Sequence, residues 1–377
     1  MSKRIREIVE KRKTAKASEG SFPYIEIGDI DTNTKDYSLK DKGSVPGAVL
    51  AYQGEILVST VRPTRGAITT VKEKSPAVSS AFAVLKPDER LCMPRYLFYC
   101  LCSKPFLQYL GANSKGATYP TCSKDDVLDY EFKVAELSAQ AEIINRLDTV
   151  SSIIIKRQQE LSTLDELIKA RFIEMFGDPV RNEMEWQTKA LEDACKSIVD
   201  CPHSTPSYTL EDTGFMCIRT SIVKKNRIMW EDIEYIPEEE YIQRIQRKKP
   251  EKGDVIYTRE GAILGIAAVL DRDCNVALGQ RSMLLSPDRA FCTPEFISVA
   301  MNFDSFLDNA LKEMSGSASP HINVGDIKAF KMILPPIAQQ EAFSTFVAQI
   351  DKSKVVVQKA LDEAQLLFDS LMQQYFG

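Results

Sequence analysis

The chain of 377 residues repeats itself at an offset of about 200 residues, and this repeat constrains its fold more than any other feature. The matching segments are GEILVST at 54–60 with GDVIYTR at 253–259, VLKPD at 84–88 with LLSPD at 284–288, PRYL at 94–97 with PEFI at 294–297, and GATYPTCSKDDV at 116–127 with GSASPHINVGDI at 316–327. A nearly constant offset across so many segments is hard to obtain by chance, and its period is too long for a solenoid. The sequence therefore predicts a tandem duplication of a whole domain and the segment that follows it.

Each copy is predicted to begin with a mixed α/β domain. Short apolar runs, such as AITTV at 67–71 and GIAAVL at 265–270, are typical of strands. Runs led by a proline, at 94–110 and 294–311, predict helices because proline favours the first helical turn. The strands expected to close the two domains are YEFKVAEL at 130–137 and AFKMILPPI at 329–337.

Each copy is predicted to end in a long helix with an apolar stripe that steps alternately by three and four residues, which is a heptad pattern. Aligning the second stripe with the first takes a slip of three residues in the offset. The predicted stripes are Leu147, Val150, Ile154, Arg157, Leu161, Leu164 and Ile168 in the first helix, and Ile350, Ser353, Val357, Ala360, Ala364, Leu367 and Leu371 in the second. Two such helices in one chain favour an antiparallel pair over the alternative that each helix only caps its own domain.

The predicted fold class is α+β, with two mixed α/β domains separated by an antiparallel pair of long coiled-coil helices. A pseudo-twofold axis is expected to cross the pair and to place the domains at opposite ends. The expected boundaries are a first domain at 1–138, a helix at 139–178, a second domain at 179–338 and a second helix at 339–377. Both helices end in Phe-Gly, at 176–177 and 376–377, which strengthens the case for duplication.

The composition restricts the cellular setting and the kind of partner. Nine cysteines without regular spacing suit a reduced cytosol, so the chain is expected to be cytoplasmic. No apolar run reaches membrane-spanning length, and the charged start lacks the apolar stretch of a signal peptide. The formal net charge is −5, and residues 181–340 hold 19 basic and 24 acidic residues. Any DNA-binding face therefore has to be a local patch.

The sequence lacks the motifs of common catalytic and cofactor sites. Its two histidines, His203 and His321, have no acidic or cysteine cluster near them, so a metal site is not expected. It has no GxxxxGK[ST] phosphate loop, no GxGxxG that opens a helix, and no Asn/Asp-Pro-Pro-aromatic motif of amino-methyltransferases. A chain of two copies without a catalytic constellation is expected to be a recognition protein or a scaffold. A bivalent protein-interaction scaffold without DNA binding and an enzyme of unrecognised form remain as alternatives.

Four segments together resemble the DNA-specificity subunit of type I restriction-modification enzymes. They are VDCPHSTPSYTLEDTGFMCIRTSIV at 199–223, the Gly- and Ser-rich loop that leads into INVGDIKAF at 322–330, LPPIAQQEAF at 334–343, and LIKARFIEMFGDP at 167–179. The first copy departs from this pattern, because it lacks a counterpart of the His-Ser-Thr-Pro stretch. It also has Ala-Glu-Leu at 135–137 where the second copy has Pro-Pro-Ile.

The resemblance implies two target-recognition domains, each reading one half of a bipartite site in double-stranded DNA. The helices would serve as a spacer and as the docking surface for two methyltransferase subunits, which carry S-adenosylmethionine and methylate adenine. Motor-nuclease subunits would join for restriction. The chain itself would be non-catalytic, without a cofactor or metal of its own.

Reading bases in the major groove requires paired donors or acceptors, such as arginine for guanine and asparagine or glutamine for adenine. Loops next to the predicted strands supply the candidates, each weighed against the alternative of a solvated charge or local packing. In the first domain these are Arg62, Arg65, Asn113, Lys115 and Tyr119. In the second domain they are His203, Thr205, Arg259, Gln280, Arg281, Ser317, His321 and Asn323. Arg259 is expected at a place similar to that of Arg62 and Arg65.

Overall fold

The computed structural model describes residues 1–13, 22–42, 45–261, 263–312 and 321–377. The chain divides into two compact units. Unit 1 consists of Met1–Gln158 and Gln358–Gly377, and unit 2 consists of Gln159–Val357. Each unit therefore contains one globular region, the first part of the long helix that follows it, and the last part of the other long helix.

Unit 1 is built from short strands followed by helices. Its strands are β1 Ser2–Arg4, β2 Phe22–Ile25, β3 Lys40–Lys42, β4 Val49–Leu50, β5 Ile56–Ser59, β6 Ile68–Thr70, β7 Ala77–Val78, β8 Phe82–Leu85 and β9 Glu131–Lys133. Its helices are α1 Pro94–Cys102, α2 Lys104–Ala112, α3 Lys124–Asp129 and the beginning of α4 Leu137–Phe176. The described strands form sheets of order β3-β2-β7-β4 and β6-β5-β8, and β1 pairs with β9.

Unit 2 has the same general order of elements. Its strands are β10 Thr188–Ala190, β11 Cys195–Asp200, β12 Met216–Ile218, β13 Val223–Lys224, β14 Arg227–Ile228, β15 Glu234–Tyr235, β16 Val255–Thr258, β17 Ala267–Val269, β18 Val276–Leu278, β19 Ser282–Pro287 and β20 Lys331–Ile333. Its helices are α5 Leu191–Ala194, α6 Glu238–Arg244, α7 Pro294–Met301, α8 Asp304–Lys312, α9 Val324–Ala329 and the beginning of α10 Ile337–Phe376. The larger sheets have the orders β11-β19-β16-β17 and β15-β12-β18.

The two units repeat the same strand pairings. In unit 1, β5 lies antiparallel to β8 with Ile56 opposite Leu85, and in unit 2, β16 lies antiparallel to β19 with Val255 opposite Leu285. The parallel pair of β2 with β7 corresponds to the parallel pair of β12 with β18. The predicted α+β class and the internal repeat are thus confirmed at the level of strand pairing.

Each proline-led run forms two helices where the sequence predicted one. In unit 1 the break lies at Ser103, whose ψ of 151° is extended and whose hydroxyl accepts a hydrogen bond from the Phe106 N–H at 3.5 Å. In unit 2 it lies at Asn302, whose side-chain amide accepts from and donates to the backbone of Ala267, at 2.9 and 2.8 Å. Asn302 also donates to the Ser298 carbonyl at 2.8 Å, and such local bonds from polar side chains to the backbone compete with continuation of a helix.

One buried glutamine in each unit joins the start of the long helix to the loop before the proline-led helix. The Gln140 carbonyl accepts from the Met93 N–H at 2.8 Å, and its amide donates to the carbonyls of Leu91 and Ala135 at 3.1 and 2.8 Å. Gln340 makes the same three bonds, at 3.1, 3.0 and 2.8 Å. Its partners are Thr293, Phe291 and Pro335. Both glutamines are fully buried, so their own polar atoms depend on these bonds to the backbone.

Replacing Gln340 with Leu is expected to lower the free energy of unfolding of unit 2 by about 2 kcal/mol or more. The substitution leaves the Thr293 N–H and the Pro335 carbonyl buried without partners, and each such group costs about 1–3 kcal/mol. Chemical denaturation followed by circular dichroism measures the change. Gln339→Leu, at the exposed neighbouring position, is the matched control. Equal effects of the two substitutions would contradict the assigned role of Gln340.

The long helices keep the offset of 200 residues without a slip. Both α4 and α10 have 40 residues, beginning at Leu137 and Ile337. In α4 the predicted stripe is buried or half-buried throughout. In α10 the buried or half-buried stripe is Val347, Ile350, Lys354, Val357, Leu361, Ala364 and Phe368. These positions are the α4 stripe plus 200, so the predicted slip of three residues is wrong.

Because of this slip, part of the stripe predicted for α10 lies one residue before the stripe that the structure shows. Ser353 and Leu367 are exposed, whereas Lys354 and Phe368 occupy the stripe. A lysine is tolerated there because its ammonium lies 2.6 Å from the Asp165 carboxylate of α4 in unit 2. The side chain of Lys354 is 16% exposed, so its stem packs within the pair while its charge is neutralised.

The end of each long helix packs on the globular region of the other copy. Phe176, at the end of α4, lies 5.0 Å from Phe296 of α7 in unit 2, measured between ring centroids. Phe376, at the end of α10, lies 5.1 Å from Tyr96 of α1 in unit 1. In unit 2 the parts of α4 and α10 that pack together are antiparallel. Asp165 of α4 pairs with Lys354 of α10, whereas Phe172, later in α4, packs on Phe343, earlier in α10, with 5.5 Å between the ring centroids. The alternative that each helix only caps its own domain is therefore wrong.

Candidate nucleic-acid interface

The same junction between a loop and a strand end occurs in both units. In unit 1, Thr121 forms an isolated antiparallel bridge with Val61, two residues past the end of β5. In unit 2, His321 forms the same bridge with Glu260, two residues past the end of β16. Most of the predicted DNA-binding residues lie on the segments that meet at these two junctions.

Arg62 and Tyr119 form a cation–π pair beside the junction of unit 1. The guanidinium carbon of Arg62 lies 4.2 Å from the Tyr119 ring centroid, and the tyrosine is 64% exposed. Arg62 has a φ of 47°, a left-handed conformation that few residues other than glycine adopt. Its guanidinium also donates to the Thr118 carbonyl at 3.3 Å. The stacked ring and this bond hold the guanidinium in one orientation, with a planar fork of donors suited to a base edge or a phosphate.

The other three candidates of unit 1 flank this pair. Lys115 pairs with Thr121 across the loop and has an exposed side chain. Arg65 is exposed at the end of the short 3-10 helix Pro63–Arg65. Asn113 ends α2 and donates its side-chain amide to the Tyr109 carbonyl at 2.8 Å, so part of its hydrogen-bonding capacity is already used. Lys115 and Arg65 thus offer positive charge around the Arg62–Tyr119 pair.

Arg259 lies inside unit 2 and not at the place of Arg62 or Arg65. Its backbone carbonyl accepts from Ile322 at 2.9 Å, as the Thr60 carbonyl does from Cys122. Arg259 is therefore the counterpart of Thr60, and the expected similarity of place is wrong. The residue is 4% exposed, and its guanidinium bonds to two carboxylates. These are Asp200, at 3.0 and 3.4 Å, and Glu260, at 2.8 Å.

His203, Thr205 and Gln280 come together at the loop of residues 201–209, called the 201–209 loop below. The His203 Nε2 lies 3.0 Å from an Asp200 carboxylate oxygen, and the histidine side chain is 67% exposed. The Gln280 amide donates to the Thr205 hydroxyl. Asp200 consequently contacts both the buried Arg259 and the exposed His203, which links the interior of the sheet to the loop surface.

Arg281 is exposed next to Gln280 and has a φ of 67°. A left-handed conformation at a non-glycine residue is a local strain that folded proteins keep most often at functional positions. Its guanidinium lies over Gly261, where an added Cβ would be 3.3 Å from Nη1. Unit 2 therefore presents a second left-handed arginine, as unit 1 does with Arg62.

The remaining candidates of unit 2 follow its junction. His321 is half-buried at the bridge to Glu260. Asn323 is exposed and precedes α9, and its amide donates to the Asp326 carboxylate at 3.0 Å. Ser317 lies outside the described residues.

The sequence reasoning concentrated on basic and amide side chains and missed the carboxylates that hold them. Asp200 and Glu260 surround Arg259, and Glu240 bonds to the 201–209 loop. Glu260 adjoins Arg259 in the sequence, which was a usable signal. Asp200 is 59 residues away from Arg259, so its role depends on strand pairing.

The described residues offer little for catalysis or metal binding. No group of three or more His, Cys, Asp or Glu among them is placed to hold a metal ion. Burial raises the pKa of the Cys92 and Cys292 thiols to about 12, so neither is a ready nucleophile at neutral pH. Within the described part of the chain, no helix combines the length and apolar character that crossing a membrane requires.

Three features define a class of recognition proteins built of two units. They are the duplicated fold, the packing of the end of each long helix on the globular region of the other copy, and the polar junctions. Residues 1–165 and 183–364 match the family model described as type I restriction modification DNA specificity domain. The two matches cover most of the chain, which therefore belongs to this family. It is the DNA specificity subunit of a type I restriction-modification system, and the role of such a subunit is recognition and not catalysis.

Relatives and solved structures agree with this assignment. The MjaVIII specificity subunit of Methanocaldococcus jannaschii is 21% identical over 310 residues, covering 78% of this chain and 71% of that protein. The EcoBI specificity subunit of Escherichia coli is 21% identical over 382 residues, covering 93% and 77%. The S subunit from M. genitalium has a TM-score of 0.57 at 14% identity, covering 100% of this chain and 96% of that one. A chain solved in work on assembly and conformational transition of the type I R-M system has a TM-score of 0.55 at 19% identity, covering 100% and 97%. At these identities the structures establish a shared fold.

Proposed function

We propose that this subunit reads a bipartite target in double-stranded DNA, with one half-site read by each unit. The observation that carries the proposal is the junction repeated in the two units with different side chains. In unit 1 the junction carries Arg62, Lys115 and Tyr119, whereas in unit 2 it carries His321 and has the Arg281 guanidinium over the adjacent Gly261. A repeated scaffold with different donors suits two half-sites of different sequence.

We further propose that the globular regions are target-recognition domains at 1–138 and 179–338, with spacer helices at 139–178 and 339–377. The helices would dock two methyltransferase subunits, which would carry S-adenosylmethionine, and motor-nuclease subunits would join the complex. Two kinds of support apply. The relatives are named as specificity subunits of type I restriction enzymes. In addition, a recognition subunit needs its chemistry to be supplied by other chains.

We assign a proposed DNA contact to each residue from the exposure of its side chain and from the donors that it offers. Arg62, Gln280 and Arg281 have donors suited to base edges, whereas Arg65, Lys115 and the backbone around Gly116 suit phosphates. The further candidates, at lower rank, are Asn113, Tyr119, His203, Thr205, Ser317, His321 and Asn323. Arg259 is proposed to act through Asp200, which holds His203, because its own guanidinium is occupied by carboxylates.

Arg62→Gln and Arg281→Gln are expected to weaken discrimination in different halves of the target. Each substitution removes a forked donor, and a good bidentate pair contributes about 1–3 kcal/mol of discrimination against the wrong base. The measurement is selection of bound duplexes from a randomised pool, using the full chain with its methyltransferase subunits, at several salt concentrations.

Arg90→Gln is the matched control, because Arg90 is exposed and paired only with Asp88 among the contacts described here. It is expected to leave both half-site preferences unchanged. A wild-type complex that selects no sequence, or whose binding does not fall with salt, would refute the proposed DNA reading.

A further inference from the structure

A buried arginine that is not one of the proposed reading residues connects two segments of unit 2. These two segments carry four of the proposed reading residues. Arg244 is the last residue of α6, and its side chain is 2% exposed. Its guanidinium donates to the Ser204 carbonyl at 2.7 Å, the Ser204 hydroxyl at 3.1 Å and the Leu278 carbonyl at 3.3 Å. Ser204 lies between His203 and Thr205 on the 201–209 loop. Leu278 ends β18, just before Gln280 and Arg281.

Glu240, one turn earlier on α6, completes the connection. One carboxylate oxygen accepts from Arg244 at 3.2 and 3.3 Å, and the other accepts from the Ser207 N–H at 3.0 Å. The 201–209 loop is thus held at two points by a single short helix. A guanidinium can make these contacts together because its five N–H donors form a rigid planar fork, whereas a lysine ammonium is a compact point charge.

We infer that Arg244 is a positioning residue for base reading by unit 2, an inference that rests on the proposed function. By bonding to Ser204 and Leu278, it sets the distance between the two segments that carry His203 and Thr205 on one side and Gln280 and Arg281 on the other. Discrimination between bases depends on donors held in place before binding, since a loop that must be ordered on binding loses part of the gain. Arg244 supplies that order from inside the domain, without contacting DNA.

The test is Arg244→Met in the full chain, assembled with its methyltransferase subunits and offered duplexes randomised at one half-site at a time. Discrimination at the half-site of unit 2 is expected to fall about tenfold or more. Discrimination at the half-site of unit 1 is expected to stay unchanged, as is the salt dependence of binding, because no cation facing DNA is removed. A role in stability alone would lower the active fraction and leave the discrimination ratios as they are.

Three further variants keep the result interpretable. Glu240→Gln/Arg244→Met removes both charges of the pair, so it serves where the single variant leaves the half-buried Glu240 carboxylate uncompensated and fails to fold. Arg272→Met is the matched control, because Arg272 is exposed and pairs with Asp271 at 3.0 Å, away from both segments. Arg244→Lys is expected to recover only part of the discrimination, since it lacks the fork.

The outcomes separate this inference from the proposed function. A folded Arg244→Met or double variant with wild-type discrimination at the half-site of unit 2 would overturn the inference alone. A wild-type complex without any half-site preference would overturn the proposed function and this inference with it. Selective loss at one half-site, with Arg272→Met unchanged, supports both.

Discussion

Exchanging the globular region of unit 2 for that of a relative is expected to change one half of the recognised DNA target and to leave the other half unchanged. This expectation rests on the proposal that each unit reads one half-site. Each unit has its own strand pairings and its own junction, so the proposed reading residues of unit 1 stay on an intact scaffold. The exchanged segment runs from Thr188 to Ile333, because β10 pairs with β20 and the two strands have to be transferred together. The methylated motif, sequenced before and after exchange, gives the result.

The exchange succeeds only if the incoming segment keeps the packing of the helix ends. Phe172 lies 5.2 Å from Phe296 and 5.0 Å from Phe303 between ring centroids, and Phe176 also packs on Phe296. Removing one large aromatic side chain from such a cluster costs about 3–5 kcal/mol. The relative that supplies the segment is therefore chosen to have large apolar residues at the positions of Phe296 and Phe303. A folded chimaera in which both halves of the motif change would show that the units do not read independently.

The duplication could be predicted from the sequence because it left matches in many separate segments. The residues of the second long helix that face the first helix could not be predicted in the same way. Leu367 and Phe368 are adjacent apolar residues, and Ser353 precedes a lysine, so heptad counting alone selects the wrong members. Lys354 belongs in the stripe because Asp165 of the other helix neutralises it. Such a pairing depends on the antiparallel register, which a single helical pattern does not contain. Gln140 and Gln340, whose identical bonds fix the offset at 200, were visible only as one identity among many.

The candidate interface shows a similar division. Among the described residues, the segments with Arg62, Lys115 and Arg281 lie between helices and strands, as the sequence predicted from signals that are local in the chain. The orientation of each side chain could not be predicted in this way, since it depends on partners that are distant in sequence. Arg259 and Arg281 are both arginines beside strands, but Asp200 draws the first inward while the second remains exposed. Arg244 belongs to a charged run and has no sequence signal that separates it from the solvated Arg247 nearby.

Lengthening both long helices by one heptad is expected to widen the gap between the two half-sites by about three base pairs. This prediction rests on the proposal that the helices act as the spacer. Seven residues add roughly 10.5 Å at about 1.5 Å per residue, and a base pair occupies about 3.4 Å. Duplicating SIIIKRQ at 152–158 and KSKVVVQ at 352–358 keeps each stripe in phase, because each insertion is one heptad. The two insertions are equivalent because the segments lie at the same offset of 200. Three base pairs also turn one half-site by almost a third of a DNA turn, so weaker binding is expected together with the wider gap.

The control is the same insertion in α4 alone. Phe176 and Phe376 anchor the ends of the two helices in the cores of different units, so a single insertion leaves seven residues without a partner in the antiparallel pair. That variant is expected to lose stability without gaining a defined new gap. The measurement uses duplexes that share both half-sites and differ only in gap length, with circular dichroism to confirm folding. If the folded double-insertion variant still preferred the original gap, the length of the helices would not determine the spacing, and the spacer role proposed for residues 139–178 and 339–377 would have to be abandoned.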